Sequence, residues 1–440
     1  MLKKYSKLAA VTLLTSIMMS GCSSTNPTAS ENTVKNEPET VKPAEPINLS
    51  LFAGATLTDE QFNTFIKDPI KKKFPNITIS LGRRDDKINT RESLIVTEQY
   101  PDLIYDSSTS YWNERGLNLL EPLDSYIKKY KLDTSTIVPA MQKSSKDKVS
   151  GNWDSLPISG NFSLLWINKD IFDKFGVPVP TEVQTWDQLL EINRKLVNVQ
   201  DGIQYIGIQP DFHFMGNGMS LRYIDPKTNK AEVNNDQWKR ILTVANNAVQ
   251  VPGFFKDGKA EYARAEWLKD RNVAMVIATG IQMIGPLTEM YNNGAPMNWD
   301  MAPFPNFPEK LGVAPLNSGP KIILTNKSKH KDEAFQVMMH LLSEEVQTII
   351  SRTAQMPAIQ NPKVREQFGA GIDSMKGKNV QAIFKTEPAE EIELTEVNST
   401  VGKKIMDGFA FKIYHEQLDI NTALRQADEE INKKMQSLQK

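Results

Sequence analysis

Ile47 to Ala53 (INLSLFA) alternates apolar and polar positions, the period of a half-buried strand, and Gly54 ends it. From Thr58 to Phe74 the apolar residues Phe62, Phe65, Ile66, Ile70 and Phe74 recur every three to four positions, which predicts a helix disturbed at Pro69. Asn76 to Leu81 (NITISL) alternates again and reads as a second strand. Ile88 to Gln99 is a weaker helical pattern, and Pro101 to Asp106 is a third strand. Strands alternating with helices imply an open α/β sheet. Ligands of such sheets sit in loops beyond the carboxyl ends of the strands. The loop after the third strand, Asp106 to Trp112, is dense in hydroxyls and carries two aromatics, and one of its hydroxyls is expected to cap the next helix.

The same alternation continues past residue 160 with no flexible linker between. Leu156 to Asp170 is an apolar strand with a polar entry, running into a helix to Phe175 that Gly176-Val177-Pro178 stops. Thr185-Trp186-Asp187 caps a helix reaching Val197. Tyr205 to Gln209 and Val273 to Ala278 read as further strands.

The amino terminus follows a different logic. Lys3, Lys4 and Lys7 precede an apolar run from Leu8 to Met19, then Ser20, Gly21 and Cys22, the only cysteine in the chain. Basic, apolar, then small residues is the order of a secretory signal. The run is shorter than the ~20 residues a membrane-spanning helix needs. A signal ending in small residues and a cysteine resembles the lipobox of bacterial lipoproteins, with Met19 where leucine is usual. That resemblance implies cleavage before Cys22, acylation of its thiol and amino group, and a lipid anchor on the outer face of the cell membrane. Residues 23–46 are rich in Pro, Glu, Thr, Asn and Ser and hold no aromatic, the composition of a disordered tether. As a flexible coil it reaches roughly 25–30 Å.

Removing residues 1–22 from the 440 leaves 418, which suits two lobes better than one domain. The formal charge is −1. This gives no basic face for nucleic acid, and an external location argues against cofactors of the cytosol. Without a cysteine after Cys22 the fold has no internal disulfide and must hold by packing.

Several segments in order carry a family resemblance. L-P-x-S-G from Leu156 leads to L-W-x-N-K-D-x-F-x-K-F-G-V-P, ending at Pro178, and then to T-W-D-x-L-L from Thr185. N-V-A-M-V-I (272–277) precedes Gly280, and M-A-P-F-P (301–305), S-K-H-K-D-E-A-F (328–335), L-L-S-E-E-V-Q (341–347), M-P-A-I (356–359) and A-L-R-Q-A-D-E-E-I-N (423–432) follow. Together these resemble extracellular solute-binding proteins of family 1, receptors of ABC importers related to the maltose-binding protein. The resemblance implies a two-lobe α/β fold of the periplasmic-binding-protein type II class, with hinge crossings and a ligand cleft between lobes. It implies crossings near Ser159–Phe162, Trp299–Pro303 and Met356–Gln360. The first lobe would hold residues 47–160 and 303–357, and the second 161–302 and 358–440. It also implies a monomer that takes a small-molecule solute and hands it to membrane permease subunits.

No enzyme motif stands in the chain. G-x-S-x-G and H-E-x-x-H are absent, and His213, His330, His340 and His415 are too dispersed to suggest a metal set. The nearest phosphate-loop pattern, Gly371 to Lys378, has one spacer too many and Asn379 in place of Ser or Thr. No catalytic residue, cofactor or metal is expected. What remains are aromatics beside polar groups in predicted loops, the combination a sugar needs for its C–H faces and hydroxyls. The candidates are Ser108, Trp112, Trp153 and Asp154 from the first lobe, and Asn161 at the first crossing, where the maltose-binding relatives have a ligand-contacting carboxylate. From the second lobe come Asp211, His213, Thr279, Gly280 and Gln282, and Trp299 and Phe304 flank the second crossing. Ile281 stands near the place of a ligand tryptophan in those relatives. Trp166, Trp186, Trp238 and Trp267 read as packing. The rival is a surface glycosidase using two of Asp102, Asp106 and Asp154. Others are a receptor for a nonsugar solute, or one that serves a sensor kinase.

Overall fold

A computed structural model describes residues 45–54, 57–83, 96, 98–106, 118–147, 150–255, 264–390 and 397–438. The expected helix at 88–99, apart from residues 96, 98 and 99, and the signal and tether up to residue 44 lie outside these residues. The first sheet has the order β2–β1–β3–β12–β4, from β2 (Ile77–Arg83), β1 (Ile47–Ala53), β3 (Leu103–Asp106), β12 (Lys321–Leu324) and β4 (Leu156–Pro157). β1 pairs parallel with both β2 and β3, while β12 runs antiparallel to β3 and β4. Alternation decides its two faces. Leu49 and Leu51 point into the main core, and Phe52 joins Ile104 and Ile323 in a smaller cluster on the opposite side.

The helix after β1 begins at a capping box: Gln61 N donates to Thr58 Oγ1, and Thr58 N donates to Gln61 Oε1, each at 3.1 Å. Its middle, Phe62–Lys67, widens to a π-helix immediately before Pro69, where Asp68 N donates to Asn63 O. Proline supplies no N–H, so the α ladder cannot continue evenly past it.

The second lobe is organised on β5 (Ser159–Asn168), a ten-residue strand with two sets of neighbours. Its outer half pairs antiparallel with β8 (Met275–Thr279) and β9 (Trp299–Ala302). Its first residues pair with β11 (Leu316–Ser318) and β13 (Met356–Pro357). Three separate stretches of chain therefore meet at Ser159–Phe162, the start of a strand that continues into lobe two. A hairpin, β6 (Asn198–Gln200) with β7 (Ile203–Tyr205), and a short parallel pair, β10 (Val313–Ala314) with β14 (Glu387–Pro388), complete the strands. The helices Trp186–Leu196, Lys404–Glu416 and Ile420–Leu438 pack on the helix Asp236–Val249, while Gly280–Asn292 packs on β5 and β8.

The crossing expected near Trp299–Pro303 falls on β9 and the residue after it. β9 lies inside the lobe-two sheet, with Trp299 opposite Asn168. The chain stays with lobe two past that point: Asn306 Nδ2 donates to Gly218 O at 3.2 Å, and Arg240 pairs with Glu309 at 2.6 Å. It reaches the shared hinge pairing only at Leu316. Likewise the helix Pro362–Glu366 stays on lobe one, where Ser351 Oγ donates to Val364 O at 2.7 Å. Trp166, Trp186, Trp238 and Trp267 are fully buried, as packing residues should be.

Candidate functional site

Four of the candidates meet where β8 turns into the helix Gly280–Asn292. Gln282 Oε1 accepts from the backbone N–H and from the hydroxyl of Thr279, each at 3.1 Å. From the hinge strand, Asn161 Oδ1 accepts from Ile281 N at 3.3 Å. The first turn of a helix leaves its amides without intrahelical partners, and these side chains take them up. Gly280 is there for space. A β-carbon on it would lie 2.3 Å from Cζ of Phe162, whose ring rests on the turn. Thr279, Gly280 and Gln282 thus build the turn itself. Ile281 is left 77% exposed beside them.

Next to this turn lies a cavity of about 440 Å³ in lobe two. Its walls are the segment Gln209–Phe214, the end of β8, Gln282, Arg264, and one face of the helix Lys404–Glu416 together with Lys403. Asp211 caps the helix Phe212–Gly218, accepting from His213 N at 2.8 Å and Phe214 N at 3.3 Å. The imidazole of His213 is held at both nitrogens. Nδ1 lies 2.5 Å from the Tyr223 hydroxyl, and Nε2 lies 2.5 Å from Asp407 Oδ1. Asp407 Oδ2 accepts from Lys403 Nζ at 3.0 Å. Arg264 donates to Gln282 O at 3.0 Å. Phe411 leaves nearly half its surface open.

Burial sets the ionisation of this cluster. It pushes the Tyr223 phenol well above its usual range, and the charges of Asp211 and Asp407 push the same way. The Tyr414 phenol is raised by the same causes. Burial also raises the Asp407 carboxyl, but hydrogen bonds from His213 and Lys403 outweigh that and hold it below the ordinary carboxylate range. The wall therefore carries the protonated phenol of Tyr414 and the ionised carboxylate of Asp407.

The other candidates sit elsewhere. Ser108, Trp112 and Cys22 lie outside the described residues. Trp153 is buried in lobe one, with Lys146 Nζ 4.9 Å from its ring centroid. Asp154 beside it is also buried. Burial pushes the Asp154 carboxyl up to about 7, against the pull of the Lys321 ammonium. Trp299 packs on Trp166 with ring centroids 5.4 Å apart, and Phe304 meets Trp186 edge-on at 5.9 Å. Both are buried, each with an aromatic ring packed against it. Asp102, part of the glycosidase alternative, accepts from Ser50 N and Oγ through Oδ2 and from Ser328 Oγ through Oδ1. It ties β1 to the segment that follows β12. Among the described residues no cluster of three or more His, Cys, Asp or Glu could hold a metal ion.

Arg264, Lys403, Asp407, Phe411, Tyr414 and His415 line the cavity but were not singled out from the sequence. A signal existed for three of them. Asp407, Phe411 and Tyr414 recur at four and three positions, one face of a helix, and a carboxylate on a face otherwise aromatic is out of place in a core.

A family model for bacterial extracellular solute-binding proteins matches residues 55–348. Among solved structures, an ABC substrate-binding protein from Listeria monocytogenes in complex with cycloalternan aligns at 18% identity, over 89% of this chain and 99% of its own, with a TM-score of 0.66. A sugar transporter from Rhizobium etli in an open conformation aligns at 17% identity over 88% and 99%, with a TM-score of 0.70. The cyclic α-maltosyl-1,6-maltose binding protein from Arthrobacter globiformis aligns at 14% over 89% and 100%, with a TM-score of 0.67. The two sheets joined through β5 are the architecture of these two-lobe proteins, and the chain belongs to the bacterial extracellular solute-binding protein family.

Proposed function

We propose that this protein is a membrane-tethered receptor that closes two lobes around a saccharide and delivers it to the permease of an ABC importer. No covalent bond is made or broken in that cycle. The observation that carries the reading is the lobe-two cavity, where exposed Phe411 stands beside the carboxylate of Asp407 and next to Asp211. An aromatic face covers the C–H side of a pyranose while carboxylates accept its hydroxyls. Relatives of similar fold hold cycloalternan and, in another case, mannotriose, which favours an oligosaccharide.

Closure follows from the hinge. A solute that touches both lobes only in the closed form shifts the population toward it by that difference in affinity. On this reading Asn161, Asp211, Asp407, Phe411 and Ile281 face the solute from lobe two and the hinge, and Ser108 and Trp112 face it from lobe one. His213, Thr279, Gly280 and Gln282 support them. Cys22 carries the lipid, residues 23–46 form the tether, and the mature protein works as a monomer outside the cell. Lobe one comprises 47–160 with the return from about Leu316, and lobe two the intervening and final segments.

Calorimetric titration against a glycan panel including mannobiose, mannotriose and cycloalternan tests the reading, with chromatography of the sugars afterwards. Binding with the sugar recovered intact is the expected result. A panel without a binder, or a sugar cleaved during the titration, would overturn it. Mass spectrometry of the membrane-extracted protein tests the anchor by the mass added at Cys22.

A further inference from the structure

The proton inventory around His213 assigns it a role different from direct solute contact. Its two ring nitrogens are both occupied, by the Tyr223 hydroxyl and by Asp407 Oδ1. Tyr223 is 5% exposed and its ring stacks on Trp238 at 5.1 Å, with Gly402 so close that a β-carbon there would meet Tyr223 Cβ at 2.4 Å. The phenol is therefore held in one place. We propose that Tyr223 is a positioning residue of the solute site: its hydroxyl donates to Nδ1 of His213, fixes the Nε2–H tautomer, and through that N–H holds Asp407 facing the cavity. This rests on the saccharide reading only for what Asp407 does once held.

The argument is one of satisfiable bonds. A phenol has one proton to give and can accept as well. If the imidazole carried protons on both nitrogens, the phenol would accept from Nδ1 and its own buried proton would need another acceptor. Among the described residues the imidazole nitrogen is the only hydrogen-bond partner found for that hydroxyl. A buried donor left without an acceptor is costly. If instead the proton sat on Nδ1 alone, bare Nε2 would face an ionised carboxylate at 2.5 Å, two acceptors with no proton between them. Only the Nε2–H form with a donating phenol uses every group. Burial keeps the phenol protonated, as this requires. With Oδ1 tied to His213 and Oδ2 to Lys403, Asp407 cannot turn away, and its remaining lone pairs are left to accept solute hydroxyls. The fixed imidazole has no nitrogen left for the solute.

The test is nitrogen NMR of the histidine rings in the full-length protein at neutral pH, with His213 assigned among the four histidines by loss of its signals in His213→Gln. The expected result is a protonated Nε2 and a bare Nδ1 in the wild type, and loss of that single tautomer in Tyr223→Phe with the fold retained by circular dichroism. A doubly protonated ring, a proton on Nδ1, or an unchanged tautomer in Tyr223→Phe would overturn the proposal. In parallel, mannotriose titrated calorimetrically should bind Tyr223→Phe about fivefold to tenfold more weakly than wild type, the equivalent of one buried hydrogen bond. Equal affinity of the two would overturn the link to Asp407. If wild type itself ignores mannotriose, that counts against this sugar as the solute, while the ring spectra still decide the tautomer.

Discussion

Asn161 Oδ1 accepts a hydrogen bond from the backbone N–H of Ile281 at 3.3 Å, so the hinge strand caps the helix that follows β8. The bond joins the start of β5 to the rim of the cavity. Asn161→Ala removes the acceptor and should destabilise the protein by about 0.5–1.5 kcal/mol. Asn161→Asp puts a full charge at the positive end of the helix and should stabilise by about 0.3–1 kcal/mol at low ionic strength. Urea unfolding at two salt concentrations checks both. The gain from the carboxylate should shrink as salt screens it, and a less stable Asp variant at low salt would count against the cap.

Gly280 tests how tightly the same turn is built. An added β-carbon would come within 2.3 Å of the Phe162 ring, and that ring also packs edge-on against Phe368 at 5.4 Å. It has little room to move. Gly280→Ala should cost about 1–3 kcal/mol, the usual penalty of overpacking, seen as a lower urea midpoint with unchanged slope. A midpoint equal to wild type would mean the ring yields freely.

Asp154 makes a pH prediction. Burial raises its folded-state pKa to about 7, whereas an unfolded aspartate titrates near ~3.9. Between those values the folded state binds the extra proton, so stability falls as pH rises through this window. The contribution is fully present below the unfolded value and gone above about 7. Thermal midpoints of wild type and Asp154→Asn, measured from acid to mildly alkaline pH, should diverge in favour of the variant across the window and run parallel above it. Parallel curves throughout would mean the carboxyl is not desolvated.

Much of this architecture could be read from local pattern. The alternation of β1 appears as Leu49 and Leu51 on one face and Phe52 on the other. Thr185 does cap its helix, in a box with Gln188. The hinge could be placed only in part. That Ser159–Phe162 pairs with segments about residues 316 and 356 is a long-range fact that no local periodicity encodes. In sequence, an aromatic in a loop-flanking position looks the same whether it stacks on a sugar or, as Trp299 and Phe304 do, packs on Trp166 and Trp186. Asp407 was missed for the opposite reason: it stands on a regular helix, where the spacing of Phe409 and Ile413 points to a core face and masks the neighbouring wet one.

Phe411 separates solute contact from structural support. It is nearly half exposed on the cavity wall, so Phe411→Ala removes an aromatic face at little cost to packing. Saccharide affinity should fall by about 0.5–1.5 kcal/mol, roughly twofold to tenfold, with the unfolding midpoint nearly unchanged. Loss of stability without loss of affinity would place this ring in the core instead.

The most direct test of the whole account is small-angle X-ray scattering of residues 23–440 with and without each sugar of the glycan panel. If two lobes hinge on β5 around a saccharide, at least one sugar should lower the radius of gyration, saturably and reversibly, with the sugar recovered whole. Scattering that stays the same for every sugar, including one that calorimetry shows to bind, would contradict closure.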